Sequence, residues 1–168
     1  MVVRARAPGG AVGSDLAGFT ARGVVGAMAM SGLRRLTRAL GLVTETPPES
    51  VLGRTAPRVF NRLPVRRRPV LVELAHWAYG AAGGAAYGAL PASWRERAWA
   101  GPAYGLVVWT LFEGGIAPVL GISRRPSHTR VEAAALLVDH LLYGAVVAGR
   151  PQSRVRNGES GGESAAAW

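Results

Sequence analysis

The chain has 168 residues and a formal net charge of +10, yet 49% of it is hydrophobic, so charge and apolar residues must be segregated along its length. All of its cationic side chains are Arg, and it has no Cys, which excludes disulfides, thiolate nucleophiles and Cys-ligated metals. A pI near 11.5 raises nucleic acid as a partner, but the aromatic residues lie inside apolar segments and not among the Arg, so no stacking platform accompanies the charge and nucleic-acid binding is not expected.

In chain order, residues 1–15 read as a flexible N-terminus and 16–149 as one helical domain. The first apolar segment, within a helix over about 16–40, contains LAGFTARGVVGAMAMSGL; Arg22 lies inside it and Arg34, Arg35 and Arg38 follow directly, placed to snorkel to an interface. A signal peptide cleaved after AMA is the weaker alternative, because the apolar run ahead of it is short and interrupted by Arg22. Residues 41–69 form a basic, Pro-rich loop in which Pro47, Pro48, Pro57, Pro64 and Pro69 break any long helix. A short interfacial helix around Val59–Leu63 would turn Arg62, Arg66, Arg67 and Arg68 toward lipid headgroups.

The second helix, about 70–90, reads VLVELAHWAYGAAGGAAYGAL and meets the requirement of about 20 residues for a membrane span. The third (98–121) and fourth (131–149) are of similar length, and none of the last three carries the wide polar stripe of a surface helix. A soluble bundle with Gly-rich core helices would need such faces. The expected fold class is therefore all-α: a polytopic membrane protein with four transmembrane helices arranged as two hairpins, followed by a Gly- and Ser-rich disordered tail over 150–168. Loops one and three carry twelve Arg against eight elsewhere, which places both basic loops in the cytoplasm and both termini outside.

Small residues recur four apart. His76, Gly80, Gly84 and Gly88 form one line, His140, Gly144 and Ala148 a second, and Gly101 and Gly105 a third. Such stripes let membrane helices approach closely enough for backbone packing to replace the hydrophobic drive that lipid cannot supply. HWAYG and HLLYG repeat a phrase in the second and fourth helices, each preceded by Leu-Gly and Arg-Pro, which suggests two hairpins in the same orientation. Three glycine-lined faces exceed what one small bundle can bury, so a homo-oligomer or another membrane-protein partner is expected.

Glu73, His76, Glu113, Asp139 and His140 lie inside the expected spans, where a charge costs about 2.5–3.5 kcal/mol at mid-depth. At about 1.5 Å per residue, His76, Glu113 and His140 fall roughly 10–15 Å from the basic side, in one layer. Glu73 shares a helical face with His76 and is positioned to orient the imidazole. Asp139 points about 100° away from its neighbour His140, toward an Arg or another helix. These residues read either as a buried proton-sensitive layer or as interhelical hydrogen bonds that fix register. No metal site is expected, since Glu73-x-x-His76 has no matching pair on the fourth helix, and no cofactor is implied. The chain lacks a nucleophile elbow, a P-loop, a dinucleotide fingerprint and a zinc-protease motif, so it is not read as an enzyme.

HWAYGAAGGAAYG, GLVVWTLFEGGIAPVLGI and HLLYG together resemble a group of small bacterial inner-membrane proteins related to YagU. The resemblance covers about residues 16–149: a helix followed by Pro47-Pro48, a His-x-x-Tyr-Gly helix, a helix with Glu113 before Pro118 and Leu120-Gly121, and a final His-x-x-Tyr-Gly helix. It implies a multi-pass architecture in the bacterial inner membrane and an association with acid tolerance, with no established biochemical activity. The expected function is a small permease or pH-responsive element using the titratable layer. The alternative is a scaffold or assembly subunit whose glycine faces and Arg loop bind another membrane protein or anionic lipid.

Overall fold

A computed structural model describes residues 9–42, 47–122 and 130–149. The elements are α1 (Gly9–Ala39), α2 (Pro47–Thr55), α3 (Pro57–Arg62), a 3-10 turn (Val65–Arg67), α4 (Arg68–Gly88), α5 (Ala92–Arg95), α6 (Ala100–Leu111), a π-helical turn (Phe112–Ile116), α7 (Ala117–Val119) and α8 (Arg130–Ala148). Among the described residues there are no strands, and the fold is all-α. Among the described residues, two helices are long and apolar enough to cross a membrane by length and composition, over Asp15–Ala39 and Arg130–Ala148. α4 has the length, 21 residues, but Arg68, Glu73 and His76 lower its hydropathy. The third apolar segment continues helically from Ala100 to Val119 in three pieces.

Proline explains several boundaries. Pro57 and Pro69 stand in the first turns of α3 and α4, where a missing N–H costs nothing and the fixed φ favours a helical start. The basic loop is thus broken into short helices, and a short helix forms over Pro57–Arg62, where one was expected around Val59–Leu63. α4 begins at Arg68 because Pro69 opens the helix instead of preceding it. Pro118 cannot donate to the carbonyl one turn back, and the poor helix formers Gly114 and Gly115 lie there, which accounts for the ladder widening into a π turn.

The Leu-Gly pairs close their helices in the same way. Gly41 (φ 68°) and Gly121 (φ 60°) take left-handed conformations that favour glycine. Leu42 N–H returns to the Thr37 carbonyl at 2.9 Å and Ile122 N–H to the Ala117 carbonyl at 2.8 Å, the double-bonded helix stop.

α1 is the centre of the bundle, packed on α4 along one side and on α8 along another, while α6 packs on α8. Glycines set the two tightest crossings. A Cβ on Gly23 would strike the Gly80 carbonyl and stand 2.9 Å from Gly84 Cα, and one on Gly84 would strike the Phe19 carbonyl. On the other pair, a Cβ on Gly105 would strike the His140 carbonyl and one on Gly144 the Gly101 carbonyl. Gly88 meets the Phe19 ring and Gly101 meets Ala148. The stripes are therefore occupied inside the chain. On α1, Gly23 and Ala27, outside the predicted stripes, supply the counterparts of Gly80 and Gly84.

α4 and α6 do not pack closely, and the gap between them is filled toward the basic end by α2. Arg54 ties α2 across the bundle by donating from Nη1 to the Leu120 carbonyl at 2.9 Å. Arg62, Arg66 and Arg67 are exposed at this end, while Arg68 is half-buried with its guanidinium 5.0 Å from the Phe60 ring centroid. α1 starts at Gly9, within the segment expected to be flexible; residues 1–8, the third loop over 123–129 and the tail over 150–168 lie outside the described residues.

Candidate functional site: a charged layer between two hollows

Arg34 on α1 is the hub of the titratable residues. It lies about 8 Å from the end of α1, counting five residues at about 1.5 Å each. Its Nη2 donates to Nε2 of His76 on α4, and its Nε stands 3.6 Å from Oδ2 of Asp139 on α8. Because guanidinium only donates, the His76 Nε2 in this contact is an acceptor and the ring is neutral. The expected pairing of Asp139 with an Arg is thus made by Arg34; the Asp139 side chain is buried, 4% exposed, and that of Arg34 is 11% exposed.

Glu73 departs from its expected role. Its Oε2 accepts from the Ser31 hydroxyl at 2.6 Å and its Oε1 from Arg35 at 3.5 Å, so its carboxylate is turned to α1 and does not orient His76. The shared face of Glu73 and His76 exists, but α1 offers each a separate partner. Next along α8, His140 donates from Nδ1 to the Leu136 carbonyl at 2.8 Å, which fixes the tautomer with Nε2 as the acceptor.

The two hairpins place charge in corresponding positions. Gly23 faces Gly80 as Gly101 faces Gly144. Counting onward from these crossings, Arg34 corresponds to Phe112, and the extra residue in the π turn brings Glu113 to the equivalent place. Arg34 lies within electrostatic reach of His76, and Glu113 within reach of His140.

These groups line a chamber of about 280 Å³ between the helices. α1 contributes Ala27, Met30 and Arg34; α4 contributes Val72, His76 and Tyr79; α8 contributes Leu136, Asp139, His140 and Tyr143. Val108, Phe112, Glu113 and Ile116 form the wall from α6 and the π turn, and α2 closes it with Val51, Leu52 and Thr55. A second hollow of about 500 Å³ lies at the basic end, lined by Ser31, Arg35, Arg38, Glu49, Glu73 and Trp77. Arg34, Pro48, Val72 and His76 line both hollows.

The chamber ends at tyrosines. Tyr143 packs against Gly26 and Gly83, whose missing side chains leave room for its ring, and its hydroxyl donates to the Gly80 carbonyl at 2.6 Å. The Tyr104 hydroxyl donates to the Gly83 carbonyl at 2.7 Å, and Tyr87 and Tyr143 form a core with Met30, Ala100 and Val147. Tyr143→Phe is expected to lower stability by about 0.6–1.7 kcal/mol, the range for interhelical hydrogen bonds in membranes, read as a lower unfolding midpoint in detergent.

His76, Glu113, Asp139 and His140 thus meet at one chamber, while Glu73 borders the outer hollow. Sequence reading missed Arg34, Ser31 and Tyr143. Among the described residues no three His, Asp or Glu side chains converge as a metal set would. Comparisons with family models, with curated proteins and with solved structures gave no match.

Proposed function

We propose that the chain is a four-span protein of the bacterial inner membrane, similar in architecture to the YagU-related group, and acts as a proton-responsive small permease or sensor. Its basic end faces the cytoplasm. α4 completes the hydrophobic barrier with its charged groups turned to α1, and the helical run from Ala100 to Val119 is long enough, at about 1.5 Å per residue, to cross the hydrocarbon core.

The observation that carries the reading is the Arg34–His76 pair, which lines both the outer hollow and the inner chamber. Adding a proton to His76 Nε2 removes the acceptor that holds Arg34 and sets two cations against each other. Arg34, Glu73 and His140 face the imidazole, and Asp139 stands ready on α8 to take the whole charge of a released Arg34. Protonation therefore shifts Arg34 from the partition toward Asp139 and opens the chamber to the basic end. Tyr143 closes the far side, so permeation requires a second state in which that ring moves.

The rival scaffold reading is weakened by the glycine stripes, which are filled from within the chain. The test uses liposomes containing the protein and an internal pH-sensitive dye, given an external pH step. The expected result is proton flux that falls to the empty-liposome level in His76→Gln/His140→Gln while the protein stays folded. Unchanged flux in that variant, or none in the native protein, removes the proton-path reading.

A further inference from the structure

We propose that the outer hollow at the basic end holds a membrane phospholipid with a zwitterionic amine headgroup: its phosphate lies on Arg38, its primary ammonium on Glu49, and an acyl chain runs down the outward face of α4. The assignment rests on the four-span reading for the bilayer around the hollow and is independent of the proton path.

Two helix faces build the hollow into a groove. Ser31, Arg34, Arg35 and Arg38 fall at i, i+3, i+4 and i+7 on α1, and Val70, Glu73, Leu74 and Trp77 repeat that spacing on α4, so each helix turns one face to the space. The bond from Ser31 to Glu73 sets their register. Arg38, seven residues beyond Ser31, stands about 10 Å nearer the basic end at about 1.5 Å per residue. The mouth is therefore charged, while Val70 and Leu74, both exposed, and the half-buried Trp77 continue the groove along α4 as an apolar strip. That change of polarity with depth matches a phospholipid standing at the edge of the hydrocarbon core.

The charges specify the head. Arg34, Arg35, Arg38, Glu49 and Glu73 line the hollow. Arg34 is matched by Asp139 at 3.6 Å and Arg35 by Glu73 at 3.5 Å. Among the described residues this leaves Arg38 and Glu49, both exposed, whose side chains have no ion-pair or hydrogen-bond partner. One open cation and one open anion complement a head that carries one charge of each sign. Guanidinium can give two N–H groups to two phosphate oxygens, and a primary ammonium has three N–H groups to offer the Glu49 carboxylate. A choline head has no N–H to give, and a glycerol head brings phosphate without a cation, which leaves Glu49 unmatched beside a second negative charge. The hollow therefore discriminates among heads by what each competitor fails to satisfy.

The test is native mass spectrometry of the full chain in detergent, titrated at neutral pH with dioleoyl phosphatidylethanolamine, phosphatidylcholine and phosphatidylglycerol, which share their acyl chains. The ethanolamine lipid is expected to bind about fivefold more tightly than either of the others. Glu49→Ala is expected to bring it down to the choline lipid, Glu49→Arg to move the preference to the glycerol lipid, and Arg38→Ala to weaken all three. Arg66→Ala, exposed at the same end but outside the hollow, should change none of them. No preference for the ethanolamine lipid, a preference that survives Glu49→Ala, native affinity in Arg38→Ala, or an equal loss in Arg66→Ala overturns the assignment. Displacement by soluble glycerophosphoethanolamine at the lipid's own concentration also overturns it, because the α4 strip would then have no part in binding. A chain that stays in solution without detergent removes the four-span reading and this site together, whereas a detergent-requiring chain with no lipid preference sinks this proposal alone.

Discussion

Gly84→Leu is expected to destroy the α1–α4 crossing and leave no monodisperse folded protein after detergent extraction. At this position a Cβ already strikes the Phe19 carbonyl and stands 2.9 Å from Gly23 Cα. Both neighbours are backbone, so no rotamer change relieves the clash and the helices must separate. Overpacking costs about 1–3 kcal/mol where side chains can adjust, and this substitution lies at or above the top of that range. Gly18→Leu is the matched control: it lies on α1, where a Cβ meets nothing within 4 Å, and it should leave extraction and stability unchanged. Size-exclusion profiles of the two variants read the difference. A monodisperse Gly84→Leu protein would show that the helix pair is not held by this close approach.

The second large effect concerns the buried ion pair. Arg34→Leu leaves Asp139, 3% exposed, without its cation and is expected to cost about 3–5 kcal/mol. Asp139→Leu strands Arg34 in the same way. Removing both charges replaces the pair with apolar side chains facing an apolar chamber, so the double variant is expected to recover most of the native stability, within about 1 kcal/mol. It should nevertheless lose proton-dependent flux, because the guanidinium that His76 holds is gone. Chemical unfolding of the four proteins in one detergent gives the coupling, and dye-loaded liposomes give the flux. Additive losses of stability, or native flux in the double variant, contradict the role assigned to Arg34.

The glycine pattern was legible because spacing alone puts Gly80, Gly84 and Gly88 on one helical face, and Gly101 with Gly105 on another. Their counterparts were harder to see: Gly23 and Ala27 are four apart, but only one of them is a glycine and both lie in a segment with weaker apolar character. Arg34 was misplaced for a related reason. An Arg near the end of an apolar run reads as snorkelling to water, and nothing in the one-dimensional sequence says that His76 and Asp139 converge on it from two other helices. Glu73 and His76 share a face, yet Ser31, a small residue 42 positions earlier with no base near it in sequence, took the carboxylate. Pro47-Pro48 read as a break between spans, whereas the structure has a helix running from Pro47 to Thr55 whose apolar side chains close the chamber. The π turn follows from Gly114, Gly115 and Pro118, but its effect on Glu113 emerges only from comparing the two hairpins.

The most direct measurement of the account as a whole is the sidedness of its two ends. The chain has no Cys, so Arg66→Cys at the basic end and Trp94→Cys between α4 and α6 each introduce a single exposed thiol. Each variant is treated with a membrane-impermeant maleimide in intact bacterial spheroplasts and after permeabilisation. The account predicts that the thiol at position 94 reacts in intact spheroplasts and that the one at position 66 reacts only after permeabilisation. Both thiols reacting in intact spheroplasts, or both only after permeabilisation, would contradict a four-span protein with its basic end in the cytoplasm.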